Sequence, residues 1–252
     1  MRYDVVREQL ELAVEDGGMG AYLARPRAPG RFPGVIVGFE MFGLTSYVRE
    51  VADRIAGLGY TAIAPDFYHR AAPGIALAAD PAGRARGFEL LEQVTRPGVL
   101  SDLRAATDRL RDVAGTTGRT GMVGFSFGGH LAYFAATQLD LAVTVAFYPG
   151  WLPTTDIALS RPEPTLALTP GIARHDGRLL VLIGDQDHAV PPGHVRAVTE
   201  RLAADGVRHE VVVYPGTPHG FACHERDTFR PAVAEDAWRR VEALLAAELP
   251  GD

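Results

Sequence analysis

The chain has 252 residues, 47% hydrophobic and 22% charged, a balance that supports a sizeable buried core. Its formal charge of −6 lacks the basic footprint of a nucleic-acid binder, and its single cysteine, Cys223, excludes an intrachain disulfide. No apolar run approaches the ~18 residues of a membrane helix, and the opening "MRYDVVREQLELAVEDGG" is charged throughout rather than a signal core, so the chain reads as soluble and cytoplasmic.

"VVREQLELAV" and "MGAYLARP" alternate around the turn "EDGG" and predict an N-terminal hairpin. "GVIVGF" (34–39) is a short apolar run suited to a strand buried on both faces. A helix follows over 46–58, with Val48, Val51, Ile55 and Leu58 on one stripe and Gly59 as its stop. "YTAIAP" (60–65) is the next strand. The stretch 101–115 predicts a helix capped by Ser101, with Leu103, Ala106, Leu110 and Val113 inward. Strands are then expected at 120–125, 141–148, 177–184 and 208–215, with helices from Phe127, over 193–205 and over 231–248. Such alternation means a mostly parallel central sheet with helices on both faces, in one α/β domain spanning 1–252. The proline-rich stretch 152–177 interrupts the alternation and reads as a surface excursion or partial lid.

At the fifth expected strand stands "GFSFGG" (124–129). A serine hydroxyl is a poor nucleophile unless a base takes its proton. Gly-x-Ser-x-Gly between strand and helix presents the hydroxyl on a sharp turn, with helix N–H groups where negative charge develops. The partners then follow in the order this arrangement requires, acid before histidine. Asp185 and Asp187 lie in "GDQDHAVPP" after one strand, and His219 in "GTPHGF" after the next. Strand C-terminal ends share one edge of an open α/β sheet, so Ser126, Asp187 and His219 can converge there. Asp187 is the expected acid, with Asp185 bracing the loop. His224 is the nearest rival to His219; His130 is expected to pack beneath the serine, and His69, His175 and His209 to be exposed. No recognised ligand spacing supports a metal among Asp185, Asp187, His188 and His194.

With "VIVGFEMFGLTSYVREVADRIAGLGYTAIAPDFY", "GFSFGG", "GDQDHAVP" and "PHGF" together, the chain resembles the dienelactone hydrolase (carboxymethylenebutenolidase) family of α/β-hydrolases over about residues 10–247. The resemblance implies the α/β-hydrolase fold and a role for several residues. Glu40 matches the family's active-site glutamate, and Met41 and Phe127 would supply the oxyanion-hole N–H groups. Asp187 and His219 match the acid and base. Arg86 looks like one of two arginines that hold a substrate carboxylate, although it also suits a solvated helix charge.

Two departures stand out. The namesake enzyme uses a cysteine nucleophile where this chain has Ser126, which leans more heavily on His219 as base. Glu40 is then either protonated by desolvation or ionised and paired. Cys223 occupies the position of the second arginine, with Arg226 near it in sequence. Tyr148 and Trp151, in "FYPGW", are the expected pocket residues.

The expected function is hydrolysis of small-molecule esters or lactones through a serine acyl-enzyme, with no cofactor, no metal, no nucleic-acid partner and no membrane. Monomer and homodimer suit it equally. A general short-chain carboxylesterase or thioesterase, and a non-catalytic ligand-binding relative, are the alternatives.

Overall fold

The structure, a computed structural model, describes residues 3–113 and 115–251. The hairpin pairs β1 (Val5–Val14) with β2 (Gly17–Pro26) antiparallel across the two-residue turn Glu15–Asp16. β3 (Phe32–Gly38) and β4 (Thr61–Pro65) are buried almost throughout, as their unbroken apolar sequences require of strands covered on both faces. With β5 (Thr116–Phe125), β6 (Val143–Phe147), β7 (Arg178–Gln186) and β8 (His209–Pro218) they complete an eight-stranded sheet in the order β1-β2-β4-β3-β5-β6-β7-β8. The β2–β4 pair is antiparallel, and every pair from β4 to β8 is parallel. This is the α/β-hydrolase architecture that the alternation predicts, with the ends of β3, β5, β7 and β8 on one edge.

The helices cover both faces. α1 (Ser46–Gly57) buries Val48, Val51 and Ile55, the expected stripe. α2 (Pro81–Leu91) does not stand out in the sequence, because its inward positions include Gly83 and Gly87 instead of large apolar residues. α3 (Arg96–Asp112) starts before the expected Ser101: extended Thr95 takes the cap position and Pro97 sits in the first turn, where its missing N–H costs nothing. α4 (Phe127–Gln138) is buried along nearly its whole length between the sheet and the segment after β6.

That segment holds short 3₁₀ turns at Ala158–Ser160 and Thr165–Leu168 and then α5 (Pro170–His175). It is fastened rather than loose. Arg96 donates to the carbonyls of Leu159 (2.9 Å) and Glu163 (2.6 Å), and Thr169 meets the Tyr133 hydroxyl at 2.6 Å. α6 (Pro192–Ala204) and α7 (Pro231–Glu248) complete the layers. Among the described residues no helix is long and apolar enough to cross a membrane.

Candidate active site

Ser126 joins β5 to α4 with φ 53° and ψ −112°, a region a non-glycine residue occupies only where its surroundings dictate it. The turn closes because its neighbours lack side chains. A Cβ on Gly124 would lie 1.8 Å from the Gly128 carbonyl oxygen, and one on Gly128 would lie 2.2 Å from that of Gly38. The Ser126 N–H is held by the Phe147 carbonyl (2.9 Å) on the neighbouring strand. Phe127 opens α4, so its N–H belongs to the first turn, which has no partner within the helix.

Two other strand ends complete the arrangement. Ser126 Oγ lies 2.9 Å from His219 Nε2, and His219 Nδ1 lies 2.8 and 2.9 Å from the two Asp187 oxygens. The carboxylate requires the proton on Nδ1, which leaves Nε2 to accept from the serine hydroxyl. Asp187 also accepts from the N–H groups of Ala189 (2.8 Å) and Val190 (3.1 Å), which fix its plane. All three residues are buried. Asp185 instead accepts from the Thr217 N–H at 3.3 Å and braces the β7 and β8 loops together.

Glu40 follows β3, buried, with an oxygen 3.1 Å from Arg226 Nη1. Of the two alternatives for this carboxyl, the structure supplies the paired one. Burial works against the Arg226 charge, but Glu40 and Tyr148 outweigh it and lift its proton affinity above the ordinary guanidinium value. The guanidinium also lies over the Phe42 ring at 5.6 Å. Arg226 thus reaches the glutamate although Cys223 holds the expected arginine position; the Cys223 thiol is buried and pushed up to about 12 by desolvation. Beside this pair lies a cleft of about 400 Å³ whose walls include Glu40, Phe42, Leu77 and Arg226.

Met41 comes next, its carbonyl accepting from the Tyr68 hydroxyl at 3.1 Å. Gly87 of α2 is packed so closely on the same carbonyl that a Cβ would lie 2.9 Å from its oxygen. α2 therefore overhangs the turn after β3. Arg86, on that helix, donates to Glu89 at 2.6 Å on the exposed face. Partial burial is the main cause that holds His188 below its usual range, with Asp187 opposing it, and the His188 ring lies 5.5 Å from that of His219.

Tyr148 is fully buried at φ 38°, with its ring against His219 at 4.9 Å. Its hydroxyl has no hydrogen-bond partner among the described residues. Burial, then the charge of Glu40, raises its pKa well above the ordinary phenol value. Trp151, half-buried at φ 60°, meets Phe88 of α2 edge-on at 6.4 Å. Phe39, Phe125 and Phe127 are core.

His175 and His209, expected to be exposed, are half-buried, and His209 Nδ1 lies 2.8 Å from the Val207 carbonyl. His130 is buried, with Nδ1 2.7 Å from the Gly150 carbonyl and Nε2 2.7 Å from Thr165 Oγ1. His224 pairs with Glu50 at 3.4 Å on the surface. His69, expected to be exposed, is buried instead, because Asp102 of α3 lies 3.2 Å from its Nε2. No sequence pattern announces a contact between residues so far apart. Among the described residues no group of three or more His, Cys, Asp or Glu side chains is placed to hold a metal ion.

A parallel sheet that brings a serine on a strained strand-to-helix turn within hydrogen-bond reach of a carboxylate-held histidine defines an α/β-hydrolase. The dienelactone hydrolase family profile matches residues 19–249, and the chain belongs to that family of ester hydrolases. It is 33% identical to a "Putative carboxymethylenebutenolidase" of Synechocystis sp. (strain ATCC 27184 / PCC 6803 / Kazusa), covering 99% of this chain and 100% of that one. It is 30% identical to a Bradyrhizobium sp. protein named "Probable 2-oxo-3-(5-oxofuran-2-ylidene)propanoate lactonase", covering 92% of this chain and 90% of that one. A crystal structure described as a "Putative Dienelactone Hydrolase" from Klebsiella pneumoniae subsp. pneumoniae MGH 78578 superposes with a TM-score of 0.86 at 28% identity, covering 96% of this chain and 99% of that one.

Proposed function

We propose that the protein hydrolyses small-molecule carboxylic esters and lactones through an acyl-enzyme on Ser126. The observation that carries this reading is the unbroken relay from Ser126 Oγ to His219 Nε2 (2.9 Å) and from His219 Nδ1 to Asp187 (2.8 Å). Ser126 Oγ attacks the carbonyl carbon as its proton passes to His219 Nε2, and Asp187 stabilises the resulting imidazolium. The N–H groups of Met41 and Phe127 receive the oxyanion of the tetrahedral intermediate. When that intermediate collapses, the ester C–O bond breaks and His219 returns the proton to the leaving alkoxide. Water, deprotonated by the same nitrogen, then attacks the acyl-enzyme, and its collapse releases the acid and restores the serine hydroxyl.

Glu40 shares the site without a proton-transfer step of its own; its partner is Arg226. Arg226 supplies positive charge on the wall of the cleft, and the buried Tyr148 ring packs against His219 behind it. The relatives' lactonase and butenolidase names favour small oxygen esters and lactones as substrates.

The test is release of p-nitrophenol from a short-chain ester by the protein and by Ser126→Ala. Turnover is expected to fall by at least about 10³-fold in the variant. Undiminished turnover would overturn the acyl-enzyme.

A further inference from the structure

We propose that Phe88 and Trp151, which meet where α2 faces the segment after β6, form an aromatic recognition site beside Ser126 and select substrates that carry a flat aryl ring. The inference rests on the hydrolase reading above and names the substrate class of that same site.

Phe88 is the most exposed large hydrophobic side chain among the described residues, at 51%. A scattered exposed phenylalanine needs no explanation. This one is placed with care. It follows Gly87, the residue packed on the Met41 carbonyl, so it stands where α2 overhangs the turn after β3. Trp151 comes from the segment after β6, three residues after Tyr148, whose ring touches His219. The two rings thus belong to the two segments whose neighbouring residues, Gly87 and Tyr148, pack on Met41 and His219.

Their mutual geometry leaves room for a third ring. Phe88 and Trp151 meet at 84° with centroids 6.4 Å apart. In an edge-to-face pair one ring presents its edge to the other's face, so further faces remain for a substrate ring to stack against or point into.

Both partners are also held in advance. The Asp80 carboxylate caps α2 through the Gly83 N–H at 2.7 Å, and Gly83 sits on the Ala78 carbonyl, where a Cβ would come within 1.9 Å of the oxygen. The Trp151 carbonyl accepts from the Thr154 N–H and from Ser160 Oγ, each at 3.2 Å. Its φ of 60° is a strained conformation for a bulky side chain, maintained by these contacts. A ring entering such a site finds its partners ordered, so its binding loses less entropy than it would at mobile side chains.

The experiment compares two pairs of esters matched in size and connectivity that differ only in the flat ring. Benzyl and cyclohexylmethyl acetate probe the alcohol side, and methyl phenylacetate and methyl cyclohexylacetate the acyl side. We expect kcat/KM to favour the aryl member of at least one pair by about five- to tenfold, mostly through KM. Phe88→Ala and Phe88→Leu should bring that ratio towards one, while Phe88→Trp should retain it. Thermal melting of each variant checks that an altered ratio does not come from unfolding. Equal rates within both pairs, or an aryl preference that survives Phe88→Ala, overturn the inference and leave the hydrolase reading standing. No Ser126-dependent hydrolysis of any of the four esters overturns both.

Discussion

The Arg226 guanidinium lies 3.1 Å from the Glu40 carboxylate, both side chains no more than 10% exposed, although 186 residues separate them in the chain. Breaking a buried pair from one side leaves a charge without water or partner, which costs about 3–5 kcal/mol. Arg226→Met, which keeps the length of the stem, should therefore destabilise the protein by about 3 kcal/mol in urea unfolding. The double variant Glu40→Gln/Arg226→Met should lose clearly less than the sum of the single losses, because neither buried charge is then stranded. Additive losses would mean that the two groups do not stabilise one another.

What could be read from the chain, and what could not, follows the range of the interactions. Gly124, Ser126 and Gly128 are local: the turn that needs them lies within five residues. The same holds for the apolar runs of β3 and β4 and for the stripe of α1. The order of acid and histidine was legible because strand C-terminal ends share an edge, a rule of topology and not of this molecule. α2 was not legible, since its glycines are explained only by the Ala78 and Met41 carbonyls on which they sit. Arg86 of "GRAR" suited either a carboxylate ligand or a solvated charge, and its ion pair with Glu89 is visible only once the helix is built. Arg226 and His69 likewise meet partners that only the folded chain brings near.

His130 couples the helix behind Ser126 to pH. Desolvation lowers its pKa from 6.5 to about 4, against the opposing hydrogen bond to the Gly150 carbonyl. Between those values the unfolded chain binds a proton that the folded one refuses, so stability rises with pH across this window. His130's contribution is fully present above pH 6.5 and is lost as the pH falls towards 4. The fully buried ring makes the change about 3 kcal/mol. Chemical denaturation at pH 7, 5.5 and 4 should show this slope, and His130→Gln, which cannot titrate, should flatten it. An unchanged slope in the variant would assign the acid sensitivity to other groups.

Tyr148 carries the opposite kind of cost. Its ring is fully enclosed by Phe125, Phe147, Phe221 and His219, and the hydroxyl at its tip has no partner among the described residues. A buried hydroxyl that has given up water without gaining a hydrogen bond is a net loss of about 1–3 kcal/mol. Phenylalanine keeps the ring, and hence the edge-to-face contact with His219 at 4.9 Å, while removing the stranded oxygen. Tyr148→Phe should therefore raise the melting temperature, by about 2–4 °C per kcal/mol recovered in a chain of this size, with ester hydrolysis retained. A lower melting temperature would mean that the hydroxyl does find a partner in solution, and the charged Glu40–Arg226 pair that acts on this phenol is where that partner should be sought.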